Sequence, residues 1–344
     1  MTDAGPHRST IEIDLRALRG NVRRLRAEIG DSALWAVVKA NGYGHGAALV
    51  AAAALEEGAA ALCTVTVEEA LELREAFPES RLIVLGPWHD GQLAAARAAR
   101  LELTSVDGRV PEGIAVHLKL DTGMGRWGAR SPGEVPRGVV GLMSHFATAD
   151  DDLDVARLQL RRFLDLAAAH PELPQSIANS AGALRLPEAR LDACRIGIAM
   201  YGLSPFGVAP VGHGLEPVLR WTSFLAQVKR LESGESTGYG RRFVAATPTW
   251  VGLVPVGYAD GFRRGLTGTE VAVAGERRPV VGTVSMDCFA VTLERELPVG
   301  TPVTLVGEGI TVEEHAARLD TIPYEFTTGL AFSPTRCRRV AIGA

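Results

Sequence analysis

Cysteine is scarce and scattered. Cys63, Cys194, Cys288 and Cys337 are the only four, and no two form a CxxC pair. That spacing argues against a disulfide scaffold and a structural zinc site, and it fits a reducing cytoplasm. A strong charge of one sign is also missing: the net charge is −4, with Lys and Arg dispersed. The basic spots at Arg23–Arg24, Arg161–Arg162 and Arg336–Arg339 read as solvated helix faces, so no nucleic-acid partner is expected. No long hydrophobic run occurs. The most apolar stretch, Ala47 to Ala61, is broken by Glu56 and Glu57 and is too short to cross a bilayer. The opening "MTDAGPHRST" lacks a basic segment followed by an apolar core, so no signal peptide is expected. Paired carboxylates of the glycosidase kind do not stand out, and no His and carboxylate cluster has metal-ligand spacing.

Short apolar runs are plentiful instead. Between residues 30 and 200 they begin at Leu34, Ala61, Arg81, Leu101, Ala115, Val139, Gln175 and Ala193. Helix-like segments at Ala47–Glu57, Val67–Ala76, Gly91–Arg100 and Asp151–His170 separate many of them. Such alternation implies parallel strands joined by crossovers, and eight units suggest a (β/α)8 barrel. Little helix is expected around the fifth and sixth units, so the barrel reads as trimmed there. After Tyr201 a Gly/Pro-rich connector leads into β-rich segments, expected to form a mostly antiparallel β domain. Only Thr311–Leu319 reads as a helix in that part. The expected division is 10–220 for the barrel and 221–344 for the β domain, with an N-terminal strand at 8–14 able to join the latter.

Reactive groups of such barrels gather at the C-terminal strand ends. Here those ends carry Lys39, then "KLDTGMGR", "SHF", "ANS" and "CRIG". Lys39 closes an apolar run and precedes the turn "ANGYGHG". A barrel-mouth lysine suits a Schiff base, with a substrate carbonyl or with pyridoxal phosphate. Ser180 and the N–H groups of Gly197 and Ile198 are candidate phosphate donors. "GMGRWG" at Gly123 matches GxGxxG, but "ARSPGEVP" after it cannot open a long helix, so it is no dinucleotide site.

"AVVKANGYGHG", "HLKLDTGMGRWG", "SHFATAD", "ANSAG", "RIGIAMYGLSP", "GYG" at Tyr239, "PVGYADGF" and "GTVSMD" together resemble the alanine racemase family, in order and over nearly the whole chain. The resemblance implies racemisation of L- and D-alanine with pyridoxal 5′-phosphate as cofactor. It implies that Lys39 carries the cofactor and serves as one base, and that Tyr239, from the other subunit of a homodimer, serves as the second. A tyrosine with a pKa near about 10 is a poor base at neutral pH and needs cationic support; Arg126 and His145 are the candidates. By the same resemblance Arg126 and the Met286 N–H hold the substrate carboxylate, and Tyr258 lines the pocket. Arg195 faces the pyridine nitrogen, His145 belongs with the cofactor-binding residues, and Tyr43, Ser180, Gly197 and Ile198 bind the phosphate. Lys119 matches a lysine that is carbamylated in some relatives and positions the arginine here numbered Arg126. Asp287 reads as a structural acceptor, and Asn41 and His45 as turn-shaping residues.

The chain departs from the family pattern in four places. The segment between Ser105 and Ala115 is short. "GYGRRF" puts two arginines after Tyr239, Thr283 stands where an arginine is common, and Phe332 stands where a phosphate-reaching tyrosine is common. The catalytic pair is left intact. The partners implied are a small amino acid and a second copy of the chain, in the cytoplasm, with no membrane and no metal. The D-alanine would serve peptidoglycan precursors. Rival readings are a broader amino-acid racemase acting on serine, a decarboxylase on the same barrel, and a cofactor-binding protein without turnover.

Overall fold

The computed structural model describes residues 7–207, 212–331 and 333–343, so Phe332 lies outside the described residues. Two compact units partition the chain. Ala17–Phe206 with His213–Glu216 form one, and the rest of the chain forms the other.

In chain order β1 (Thr10–Asp14) comes first and belongs to the second unit. The first unit then holds β2 (Ala33–Val37), β3 (Ala61–Thr64), β4 (Leu82–Val84), β5 (Glu102–Ser105), β6 (Val116–Lys119), β7 (Val139–Met143), β8 (Gln175–Ser176) and β9 (Ala193–Ile196). All pair in parallel in the order β8-β7-β6-β5-β4-β3-β2-β9. The seam between β8 and β9 carries no regular ladder but is stitched. The Asp192 N–H donates to the Gln175 carbonyl at 3.2 Å and the Arg195 N–H to that of Ala178 at 3.0 Å. The Ser176 hydroxyl donates to the Ala193 carbonyl at 2.7 Å. The result is a nearly closed eight-stranded barrel built from the eight apolar runs. β3, β4, β6 and β9 are buried along their whole length, as strands covered on both faces must be.

Helices Ala47–Glu56, Val67–Ala76, Leu93–Ala98 and Leu153–Ala167 cover crossovers. β5 to β6 and β6 to β7 are joined without one, which is the trimming the sequence suggests. One long helix went unread: Leu15–Ile29. Its five arginines mask a stripe of Leu15, Leu18, Val22, Leu25 and Ile29, all buried and spaced alternately three and four apart. Between β5 and β6, His117 Nε2 lies 2.7 Å from Glu102 Oε2, and Arg81, just before β4, makes a two-pronged pair with the same carboxylate at 2.6 and 2.8 Å. Together they draw the Glu102 carboxyl down to about 2, against the opposing effect of burial.

The second unit contains β10 (Leu219–Phe224), β11 (Gln227–Leu231), β12 (Ser236–Thr237), β13 (Phe243–Val244), β14 (Thr249–Val254), β15 (Glu270–Val273), β16 (Glu276–Val281), β17 (Phe289–Leu293), β18 (Pro302–Val306) and β19 (Arg338–Ile342). Its main sheet runs β11-β14-β17-β16-β15-β18-β10-β1-β19 and is antiparallel except between β1 and β19. β1 is thus held on both edges by the second unit. Val312–Arg318 is helical, begun by a capping box between Thr311 and Glu314. Pro323–Thr328 is a further short helix that the sequence reading missed; it opens on proline and holds residues of modest helix propensity. The core of this unit stacks Phe262 on Phe289 at 4.4 Å, with Trp221, His315 and Phe326 around them. Each such aromatic stabilises the fold by roughly 1.5–3 kcal/mol through burial.

Candidate active site

Lys39 leaves β2 into a turn of unusual backbone. Ala40, Asn41, Gly42 and Tyr43 follow one another at φ of 50, 51, 61 and 51°. Three of these are not glycine, and such strain persists only where surrounding bonds hold it. They do here. The Gly42 N–H donates to the Val38 carbonyl at 2.8 Å, the Ala47 N–H to Asn41 Oδ1 at 2.9 Å, and the Ala40 N–H to Glu69 Oε1 at 2.7 Å. Glu69 Oε2 accepts from the Val65 N–H at 2.9 Å, so one carboxylate ties the Lys39 turn to the end of β3. A Cβ on Gly42 would lie 3.2 Å from the Ala47 nitrogen. Burial first, then the Arg126 charge, lowers the Lys39 amine below the ordinary lysine range. More of it is neutral, and so nucleophilic, than of a surface lysine.

Around the same mouth, Ser180 opens the helix Ser180–Arg185, whose N-cap Asn179 accepts from the Gly182 N–H at 2.9 Å. Its hydroxyl accepts from the N–H of Gly197 at 3.0 Å and of Ala199 at 3.4 Å. Ser180, Gly197 and Ile198 are therefore drawn together, with Ala199 as an unforeseen fourth member. Tyr43 is buried against Tyr201, ring centres 5.0 Å apart. A Cβ on Gly197 would lie 2.5 Å from the Tyr43 hydroxyl, so only glycine lets that hydroxyl sit over the cradle.

Arg195 on β9 is buried and fixed on many sides. Nη1 donates to the Ser176 carbonyl at 2.9 Å and hydroxyl at 2.6 Å; Nη2 donates to the Ile177 carbonyl at 3.2 Å and to the Ser144 carbonyl. Nη2 also lies 3.3 Å from His145 Nδ1. Among the described residues the Nε–H has no protein partner. Burial lowers the guanidinium to about 10, which leaves it cationic at neutral pH. Burial, then Arg195, Lys119, Arg126 and Lys39, hold His145 well below the usual imidazole range. His145 is therefore neutral and not the cationic support considered for Tyr239; it can accept at Nδ1 from Arg195.

Lys119 ends β6, and burial followed by Arg195 and Arg126 pushes its ammonium down to about 8. The Trp127 ring lies against both Lys119 Nζ, at 5.6 Å, and Arg126 Cζ, at 5.4 Å. The loop carrying Arg126 turns on Asp121, whose Oδ1 accepts from the N–H of Gly123, Met124 and Gly125 at 3.0–3.1 Å. The glycines of "GMGRWG" thus serve a tight loop. Gly128 sits at φ 134°, and its Cβ would meet the Asp121 nitrogen at 2.7 Å.

Tyr239, Tyr258 and Met286 belong to the second unit. Residues 282–286 are their common strut. The Thr283 hydroxyl donates to the Tyr239 carbonyl at 3.1 Å, the Tyr258 N–H to that of Ser285 at 3.1 Å, and the Ala259 N–H to that of Met286 at 3.1 Å. The Met286 N–H has no hydrogen-bond partner among the described residues. Tyr239 is 73 % exposed, Met286 52 % and Tyr258 43 %. Beneath them Arg336 binds Asp260 at 2.8 and 3.1 Å and Asp287 at 2.8 Å. Asp287 is thus an ion-pair partner within the fold. Arg336 was read only as part of a basic tail; no local pattern points to its distant carboxylates.

Residues 13–205 match the model of the alanine racemase N-terminal domain, and residues 218–340 that of the alanine racemase C-terminal domain. The chain belongs to the alanine racemase family. It is 40 % identical to the alanine racemase of Geobacillus stearothermophilus, over 96 % of this chain and 93 % of that one. Against that of Symbiobacterium thermophilum the figures are 41 %, 93 % and 94 %. Among solved structures, alanine racemase from a D-cycloserine-producing Streptomyces lavendulae superposes with a TM-score of 0.92 at 37 % identity, covering 99 % of this chain and 98 % of that one. The activity is the interconversion of L- and D-alanine, and the cofactor is pyridoxal 5′-phosphate.

The barrel mouth fits that cofactor. It offers an amine of lowered pKa, a buried cation with one donor left over, and a glycine cradle under a tyrosine hydroxyl. Lys39, Lys119, Arg126 and Arg195 surround His145, a setting that favours phosphate and carboxylate. Among the described residues no group of three or more His, Cys, Asp or Glu could hold a metal, and no helix is long and apolar enough to cross a membrane.

Proposed function

We propose that Lys39 and Tyr239 are the two proton-transferring groups of this racemase, and that Tyr239 works opposite the Lys39 of a second copy of the chain. Lys39 attaches the cofactor through its amine. Pyridoxal phosphate, when bound, supplies the electron-withdrawing ring that acidifies the Cα hydrogen of alanine. The chain's own residues move that proton. One of the pair removes it from one face, and the other delivers a proton to the opposite face. Each conversion leaves the protonation states of Lys39 and Tyr239 exchanged, and the reverse conversion restores them.

The remaining residues hold and orient. Ser180, Tyr43 and the Ile198 N–H would hold the phosphate, joined by the Gly197 N–H once it leaves the Ser180 hydroxyl that it now meets. Arg195 would face the ring nitrogen with the donor it has left over, and a guanidinium does not hand over its proton. That choice moderates the electron sink and disfavours side reactions. His145, kept neutral, accepts from Arg195 and fixes its plane. Arg126 and the Met286 N–H hold the alanine carboxylate, with Lys119 positioning Arg126 across Trp127. Tyr258 lines the pocket.

The observation that carries this reading is the unpartnered Nε–H on a buried guanidinium whose other N–H groups are all engaged, on the strand that pairs with the one leading into Lys39. The exposure of Tyr239, Tyr258 and Met286 on one strut leaves them open to a second copy of the chain, which supports a dimer. The working site is the cytoplasm, where D-alanine would feed peptidoglycan precursors. Chiral chromatography of L-alanine incubated with the holoenzyme tests the reading, with serine and lysine alongside. D-alanine formed by the wild-type chain and lost in both Lys39→Ala and Tyr239→Phe supports it. Unchanged racemisation by both variants overturns it.

A further inference from the structure

A cavity of about 420 Å³ opens on the second unit, lined by Arg242, Arg264, Gly265, Thr267, Thr283 and Arg318. No carboxylate lines it. Among the described residues none of its three guanidiniums makes an ion pair. In the same unit Arg263, Arg277, Arg278 and Arg336 each have a carboxylate partner. One of the three guanidiniums is held in place, and so is the backbone beneath a second. Arg318 Nη2 donates to the Thr267 carbonyl at 2.6 Å. The Thr267 hydroxyl donates to the Arg264 carbonyl at 3.0 Å and accepts from the Val284 N–H at 3.2 Å.

We propose that this three-arginine cavity is a binding site for a small tetrahedral oxyanion of the phosphate class. Three guanidiniums lining one cavity with no carboxylate among them make it a positively charged site, to which an anion is drawn. The guanidinium fork matches phosphate oxygens in pairs. No aliphatic or aromatic side chain lines the cavity, so it offers nothing to an acyl chain. The ligand is therefore a compact, wholly polar ion. The Thr283 hydroxyl on its wall donates to the Tyr239 carbonyl, so the ion sits against the turn that presents Tyr239.

Inorganic phosphate is the probe, titrated calorimetrically into the holoenzyme. Bound cofactor fills its own phosphate cradle, and saturating racemic alanine fills the carboxylate site. The expected result is one phosphate per chain, still bound in the presence of alanine. Arg264→Ala and Arg318→Ala should each weaken it by roughly tenfold or more, with circular dichroism and cofactor absorbance unchanged. Arg264 contributes no side-chain bond to the fold, so its variant keeps the test clear if Arg318→Ala misfolds. No saturable binding, displacement by alanine, or equal affinity in wild type and Arg264→Ala would overturn the proposal.

Discussion

Arg195 Nη2 stands 3.3 Å from Nδ1 of His145, a fixed cation donating to an imidazole that must stay neutral to accept. His117 and His315 are likewise buried and held below the ordinary imidazole value of 6.5, by burial first in each case. Above pH 6.5 folded and unfolded chains both keep these rings neutral, and stability is unaffected. Below it the unfolded chain takes up protons that the folded chain refuses. Stability is therefore lost as pH falls, by up to about 1.4 kcal/mol per pH unit for each ring held fully neutral. Glu102 limits the effect at His117, since its hydrogen bond and charge raise that ring's pKa. Urea unfolding at pH 7.5, 6.0 and 5.0 measures the loss. A flat response between pH 6.5 and 5 would contradict the assignment, because the carboxylates titrate lower.

The two proposed bases make a directional prediction. Tyr239→Phe should slow exchange of the Cα hydrogen from one alanine enantiomer far more than from the other, by about 10²–10⁴-fold. Deuterium uptake from solvent, followed separately for L- and D-alanine, reads this. Lys39→Ala should abolish covalent attachment of the cofactor, seen as loss of its bound absorbance. Equal slowing of both enantiomers by Tyr239→Phe would mean that the hydroxyl positions the substrate without moving its proton.

How much of this was legible beforehand depended on the range of the interactions. All eight barrel strands fall on the short runs read from the sequence, most plainly β3, β4, β6 and β9, whose burial along their whole length leaves no polar alternation to confuse them. Lys39, Ser180, Gly197 and Arg195 fall at strand ends, where the barrel dictates that chemistry gathers. The helix Leu15–Ile29 was lost under its arginines, although its apolar stripe has ordinary spacing. Arg336 with Asp260 and Asp287, and the strut 282–286, could not be read. Their partners lie tens of residues away, and nothing local encodes such pairs. Glu69 was within reach: "TVEE" is a capping-box sequence, realised here between Thr66 and Glu69. What it did not disclose is the second bond, to the Lys39 turn.

Lys119 gives a chemical prediction. An ammonium lowered to about 8 is substantially neutral just above that pH, and a neutral amine adds carbon dioxide, releasing a proton and forming a carbamate. That product turns a cation beside Arg126 into an anion, so one charge repulsion becomes an attraction across Trp127. Carbon-13 NMR with labelled bicarbonate should show one protein-bound carbamate at mildly alkaline pH, missing from Lys119→Ala. The variant should also raise KM for alanine more than it lowers kcat, as expected when Arg126 loses its anchor. No carbamate signal would leave Lys119 acting as a plain cation.

Gly257 offers the most demanding packing test. A Cβ there would lie 2.3 Å from the Ser285 carbonyl oxygen and 2.4 Å from that of Met286, both backbone atoms. These carbonyls accept the N–H groups of Tyr258 and Ala259, so the strut cannot retreat without releasing the Tyr258 turn. Gly257→Ala should cost about 3 kcal/mol or more, at the upper end of overpacking penalties. Gly20→Ala is the counterpart. It lies inside Leu15–Ile29 with nothing within 4 Å of the added methyl, and should stabilise by roughly 0.5–1 kcal/mol. Denaturant midpoints of the two variants, measured side by side, should move in opposite directions. If Gly257→Ala unfolds like wild type, the close approach of the strut to residue 257 is wrong, and with it the shared support proposed for Tyr239, Tyr258 and Met286.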